Sequence, residues 1–177
     1  MKLLALDTST VACTVALEAG GEVASRHAEQ ARAHTRLLLP MIEELLAEAG
    51  IAAAGLDAVV LGNGPGSFIG LRIAASVAQG LCFAGGAALV PVSSLATVAL
   101  RAFAESDCER VLGAQDAHMN EVYLAGYARG ADGLPRETLA PRLQGAAAIA
   151  DADRRHALAG AGWDRCPGLL EANAGRL

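Results

Sequence analysis

The sequence predicts an α/β fold built from two similar units, and three observations carry that expectation. A short apolar run that ends in an acid and leads into a hairpin occurs at residues 3–17 and again at 111–125. Between them, Ala58-Val59-Val60-Leu61 runs into the glycine-rich turn Asn63-Gly64-Pro65-Gly66-Ser67-Phe68-Ile69-Gly70, which opens a helix. The helices on either side of that turn are apolar over more than one face, as suits elements that pack on a sheet.

Taken in order, residues 2–8 predict a strand, apolar through Leu3-Leu4-Ala5-Leu6 and closed by the polar turn Asp7-Thr8-Ser9-Thr10. Val11 to Glu18 alternates Cys13, Val15 and Leu17 against Thr14 and Ala16 and predicts a second strand. Gly20-Gly21 is a hairpin turn, and Glu22 to Ala28 is its antiparallel partner. A helix over 35–49 follows, with Thr35 as the expected N-cap. Leu38, Met41, Ile42, Leu45 and Ala49 form one stripe at helical spacing, widened by Leu39 and Leu46, and Gly50 marks the stop. Pro40 predicts a kink or a tightened first turn, because proline removes a hydrogen bond and crowds the turn before it.

Residues 57–63 predict the next strand. After the glycine turn comes a helix from Leu71 to Phe83, in which Ala74, Ser76, Ala78, Gly80 and Ala84 keep one side small enough for a close helix–helix approach. Gly85-Gly86 ends it. Ala88 to Val92 is a short strand, and Ser93 or Ser94 caps a third helix that runs to about Glu105. The pattern then restarts: Arg110 to Asp116 is strand-like and ends in an acid, and Glu121 to Tyr127 alternates as its hairpin partner. Asp132-Gly133 is a turn signal. Beyond Pro141 the expectation is a short helix around Ala146 to Asp151, a strand at Ala157 to Ala159, and little further order. The boundary is expected at 105/106, giving an N-terminal subdomain 1–105 and a C-terminal subdomain 106–177. Two similar subdomains, each with a carboxylate at the end of its first strand, match the arrangement of the actin-like ATPase (ASKHA, ribonuclease H-like) superfamily.

The 177 residues are 53% hydrophobic but only 3% aromatic, so Ala and Gly supply much of the apolar content and backbones should pack closely. The net charge is −5 and the only lysine is Lys2, so a free-standing nucleic-acid grip is not expected. No apolar run approaches the ~20 residues that span a bilayer, and the N-terminus meets Asp7 too early for a signal peptide. A cytoplasmic chain without membrane contact is therefore expected. Cys13, Cys82, Cys108 and Cys166 form no C-x-x-C pair and are expected as reduced thiols, Cys13 and Cys82 in the core.

The glycine turn looks like a phosphate loop without its chemistry. A Walker A loop needs a lysine after the glycines, and none follows any glycine here. Gly64, Gly66 and Gly70 nearly match a dinucleotide fingerprint, but the last spacing is one residue too long and the ribose-binding acid is missing. Ser67 lacks the spacing of a nucleophile elbow and is expected to cap the helix that follows. The histidines, His27, His34, His118 and His156, show no zinc-binding spacing, and His34 is expected at a helix start or a surface contact. Asp7 and Asp116 could together hold a hydrated magnesium over a nucleotide, or each could close its own turn. Thr8-Ser9-Thr10 favours the second role for Asp7, and for Asp116 both stay open. Arg72 could meet an anion beside the loop, with structural pairing to a carboxylate the favoured role. Asp7, Gly64, Gly66, Ser67, Gly70 and Arg72 are thus the candidate ligand loop. The helices carry more apolar surface than one sheet can cover in a chain this short, which points to a face that meets another protein.

The block Leu4-Ala5-Leu6-Asp7-Thr8-Ser9-Thr10, then His34-Thr35 with Leu39-Pro40-Met41, then Gly64 to Ile73, then Asp116-Ala117-His118-Met119-Asn120-Glu121-Val122-Tyr123 resembles the bacterial TsaB (YeaZ) family. The likeness runs from residue 2 to about 127 and faintly to about Trp163. It implies a non-catalytic subunit of the complex that makes threonylcarbamoyladenosine at position 37 of tRNA. The TsaD paralogue would be the metal-bearing transferase, the ATPase TsaE would join, and tRNA would be met only through the complex. The docking surface, towards TsaD or a second copy, is then expected on His34, Leu38, Met41, Ile42 and Leu45 of one helix and Ile73, Ala74, Val77, Ala78 and Leu81 of the other. Ala78→Arg is expected to block docking without harming the fold. No cofactor or metal is expected, with weak nucleotide binding at a partner interface kept as an alternative. A glycoprotease-like peptidase and an independent weak nucleotide-binding ATPase are the competing functions. The family usually has Thr where Ile69 stands and often Arg where His118 stands. Relatives run on through a further helix, so the second subdomain is expected to be incomplete.

Overall fold

The computed structural model describes residues 1–150, 156–175 and 177. They form two compact units, Met1–Ser93 and Ser94–Leu177. In the first, a five-stranded sheet has the order β3-β2-β1-β4-β5. Strands β1 (Lys2–Asp7), β2 (Ala12–Ala19) and β3 (Glu22–Glu29) form an antiparallel meander. Its β2–β3 turn needs Gly20 and Gly21 at φ 65° and 87°, the left-handed region that glycine enters without steric cost. The strands β4 (Ala58–Gly62) and β5 (Ala88–Val92) add in parallel, each after a helical crossover.

The crossover helices α1 (His34–Ala49) and α2 (Phe68–Gly85) cover one face of that sheet. Alternate residues of the strands, Leu4, Leu6, Val15, Leu17, Val59 and Leu61, point into this layer and meet Leu38, Ile42, Leu45, Ala74 and Ala78. Each fully buried Leu or Ile contributes about 1.5–3 kcal/mol in this way. The start of α1 differs from expectation. Ala33 occupies the N-cap, no side chain caps the helix, and Thr35 lies inside it. The buried His34 ring does the positioning instead, with Nε2 donating to the Ala12 carbonyl oxygen at 3.2 Å. The helix includes Pro40, and it stops at Gly50 with φ 65°, the stop the sequence predicts. Arg26 of β3 ties to Glu44 and Glu48 on the outside of α1.

Strand β5 is the last of its sheet. The bonds Ala88 N–H to Asp57 O (3.0 Å) and Asn63 N–H to Val92 O (2.9 Å) set its register on β4. The main-chain groups of Leu89 and Pro91 therefore face away from β4.

In the second unit, α3 (Ser94–Glu105) packs Leu95, Ala99 and Phe103 on Val111, Ala125 and Tyr127. The boundary expected at 105/106 therefore falls between Ser93 and Ser94, because the buried face of α3 belongs to this second core. The sheet order is β8-β7-β6-β9. It comprises β6 (Arg110–His118), β7 (Glu121–Arg129), β8 (Pro135–Gln144) and β9 (Ala157–Ala159). Arg129 extends the hairpin to the end of α3, where its guanidinium donates to the carbonyls of Phe103, Ser106 and Cys108.

The strand β8 was not anticipated from its sequence. The helix expected around Ala146 to Asp151 does not form over 146–150, which are bends, a turn and irregular chain, and Asp151 lies outside the described residues. Two short helices follow β9, α4 (Gly162–Arg165) and α5 (Pro167–Ala172), where little order was expected. They bring Trp163, Cys166 and Leu169 onto Leu112, Ala114, Val122 and Leu124. The Trp163 indole donates to Leu112 O at 3.1 Å. Asn173, fully buried, accepts from Ile149 N–H and donates to the carbonyls of Ala147 and Leu169.

Candidate functional site

The glycine loop joins β4 to α2, and its conformation is dictated by what it rests on. Ser67 is the N-cap of α2, its Oγ accepting from Gly70 N–H at 3.1 Å, so the helix begins at Phe68 and not at Leu71. The β1–β2 turn lies against this first turn. Thr8 Oγ1 donates to Gly70 O at 2.7 Å, and Ser67 N–H donates to Ser9 O at 2.6 Å. Both Thr8 and Ser9 are buried. A Cβ at Gly70 would overlap the Thr8 carbonyl oxygen, and one at Gly62 would overlap the Asp7 carboxylate. Gly64 sits at φ 92° before a cis bond to Pro65. The glycines thus serve a close approach of the chain to itself. The helix-start amide of Ser67, which a phosphate would seek, is already taken by Ser9.

Asp7 closes its own turn, Oδ1 accepting from Ser9 N–H at 2.7 Å. Asp116 does the same with His118 N–H at 2.8 Å, and the His118 ring lies 3.5 Å from its other oxygen. Among the described residues no cluster of three or more His, Cys, Asp or Glu is placed to hold a metal ion. Cys13 is buried beside this turn, and burial first, then the Asp7 charge, pushes its thiol pKa up. All four cysteines are free thiols; Cys13 lies in the core and Cys82 is half-buried against it.

The docking residues expected on α1 and α2 are mostly turned inwards. His34, Leu38, Met41, Ile42, Leu45, Ala74 and Ala78 are buried in the core of their own unit. Only Ile73, Val77 and Leu81 are half-buried at its margin. The expected stripe is the sheet-facing one, because the sheet claims the side of each helix where apolar residues are densest. Ala78→Arg would therefore disturb the fold rather than test docking.

The outer face of the helices lies away from the sheet-facing stripe. Leu39 is 48% exposed, Phe68 71%, Ile69 69% and Phe83 94%. A groove of about 370 Å³ runs between the helices, lined by His34, Thr35, Leu38, Leu39, Ile69, Arg72, Ile73, Ser76 and Val77. Sequence reasoning missed Leu39, Phe68, Ile69, Ser76 and Phe83 as surface residues. The available signal was that α2 is apolar nearly all round, more than its one sheet contact needs. Arg72 stands on the groove rim, its guanidinium 3.4 Å from the Phe68 ring centroid and bonded to Phe68 O at 3.1 Å. The expected carboxylate partner is not among its described contacts.

By length and composition alone, α2 could cross a bilayer, with a mean hydropathy of 1.4. This qualifies the expectation that no run approaches that length. In the structure its Ala74 and Ala78 side is packed against the sheet layer, and Arg72 stands on its outer side.

The family model for TsaD, described as tRNA N6-adenosine threonylcarbamoyltransferase, matches residues 22–141. Fold and match together define the class, a mixed α/β protein with the domain of the threonylcarbamoyltransferases, consistent with the actin-like architecture. The TsaB protein of Haemophilus influenzae is 46% identical over 129 residues, 73% of this chain and 55% of that relative. The Escherichia coli TsaB protein is 41% identical over 134 residues, 76% of this chain and 58% of that relative. The solved structure of YeaZ from Pseudomonas aeruginosa superposes with a TM-score of 0.86 at 42% identity, covering 97% of this chain and 79% of that one. The chain belongs to the TsaB (YeaZ) family. It spans somewhat over half the length of the two curated relatives, 55% and 58%.

Proposed function

We propose that this chain is a non-catalytic subunit of the assembly that makes threonylcarbamoyladenosine at position 37 of tRNA. It docks a TsaD-type transferase through the outer face of α1 and α2. The observation that carries the reading is the uncovered apolar groove between those helices, flanked by Leu39, Phe68 and Ile69. The glycine loop supports it from the other side, since the Ser67 amide is taken by Ser9 O and the Gly70 amide by Ser67 Oγ. The names of the relatives supply the pathway. A TsaE-type ATPase joins the complex, and tRNA is met through it in the cytoplasm, as the net charge of −5 favours. No cofactor is assigned to the chain itself. In the absence of the transferase, the same face is available to a second copy.

Size-exclusion chromatography of the chain mixed with its transferase paralogue tests this. Co-elution is expected, and Ser76→Arg, at an exposed groove position, is expected to abolish it with the thermal melt unchanged. Undiminished co-elution of that variant would place the contact elsewhere. Turnover of ATP with magnesium by the isolated chain would overturn the non-catalytic reading.

A further inference from the structure

Arg72 is the only arginine or lysine among the residues lining the groove. Arg26 of β3, packed on the outside of α1, is matched by Glu44 and Glu48, and Arg36 of α1, which does not line the groove, donates to the Gln30 side chain. Arg72 has no ion pair among the described residues. No acid stands in the first turn of α2 to meet it. Its guanidinium is nonetheless held in place, over the Phe68 ring and on the Phe68 carbonyl. One hydrogen bond leaves most of the fork of donors free.

A partner helix that fills the apolar groove strips water from this charge. A guanidinium desolvated without a counter-charge opposes binding, while one that meets a carboxylate gains a planar, two-bond contact with geometric selectivity. We propose that Arg72 is the specificity-determining residue of the docking face. It accepts only a partner whose apolar helix brings an Asp or Glu side chain to the Phe68–Arg72 end of the groove. Phe68 is then a positioning residue, holding the guanidinium plane before the partner arrives. The inference rests on the docking reading above and specifies the chemistry of the transferase surface it requires.

The test measures affinity of the purified full chain for the transferase paralogue by titration calorimetry at two salt concentrations. Arg72→Gln is expected to weaken binding about tenfold or more and to flatten its salt dependence. Arg72→Lys should keep the salt dependence and recover only part of the affinity. Ser76→Arg serves as the control for docking itself. If Ser76→Arg abolishes binding while Arg72→Gln binds as the wild type does, the charge readout is wrong and the docking face stands. If Ser76→Arg binds normally, the docking face fails and the readout with it. Equal weakening by Gln and Lys with an unchanged salt slope would reduce Arg72 to a packing role and overturn the proposal. Binding that appears only with added tRNA would assign the guanidinium to phosphate and overturn it as well.

Discussion

Each sheet pairs a first strand with an antiparallel hairpin partner, adds a third strand beyond it, and sets a parallel strand on the other side. In the first unit these are β1, β2, β3 and β4, and in the second β6, β7, β8 and β9. Asp7 and Asp116 close the same two-residue turn at the same place. Each unit also brings a helix-start glycine close to its first strand, although at different positions along it. A Cβ on Gly70 would overlap Thr8 O just past β1, and a Cβ on Gly162 would stand 2.7 Å from the Ala114 carbonyl carbon in β6. The helices after the parallel strands do not repeat: α2 has 18 residues, whereas α4 and α5 have 4 and 6. Backbone pairing tolerates sequence change as long as alternation survives, so the sheets kept their plan. Helix length and outer surface are free to diverge, and the first unit carries a long helix pair, α1 and α2, with an apolar outer groove.

The sharpest way to break this contrast is to reverse the two sides of α2. Ala78→Arg forces an unpaired charge into the first core and should cost about 3–5 kcal/mol in urea unfolding. Ser76→Arg, on the opposite side, should stay within about 0.5 kcal/mol. Equal losses would mean that the outer face is covered. The close glycines at the two helix starts come next. Gly70→Val and Gly162→Val should each cost about 3 kcal/mol through overpacking, and tolerance of either would mean that the helix start it opens is not held close to its sheet.

A smaller loss belongs to the second unit alone. Asn173→Ala removes the side chain that bonds Ile149 N–H and the Ala147 and Leu169 carbonyls and should cost about 2 kcal/mol. Hydrogen exchange should quicken around 146–150 and leave β1–β4 unaffected. The smallest effect is a pH dependence in the first unit. The raised Cys13 pKa means that the folded chain holds its thiol proton above pH 9.0, where the unfolded chain releases it. Stability should therefore fall as pH rises past that value. A Cys13→Ala variant that keeps the same alkaline slope would assign the effect elsewhere.

The strands up to β7 were legible because apolar alternation and glycine turns leave strong marks. The Ser67 cap and the Asp7 turn were legible because a small polar side chain beside a helix start or strand end has few other partners. Strand β8 was not, since Pro135 and Pro141 argue against a strand unless it lies on an edge, and edge position is a tertiary fact. The stripe expected to dock faces the sheet of its own unit, for a related reason. Periodicity shows that Leu38, Ile42 and Leu45 share a face, but not whether a sheet of the same chain or another molecule covers it. On α2, apolar on nearly every side, periodicity carries no direction at all. The end of α3 was read correctly, yet its allegiance to the second core depends on Leu95 and Phe103 meeting Val111 and Tyr127, contacts that local pattern does not encode.

Pro91 carries a last consequence. Sitting in the edge strand β5 with its main chain turned outward, it withholds the one amide that a foreign strand would use beside Leu89. Pairing of copies through this edge should therefore be resisted, even with Leu89 and Val90 open to water, and replacing Pro91 by valine should open β5 to strand addition.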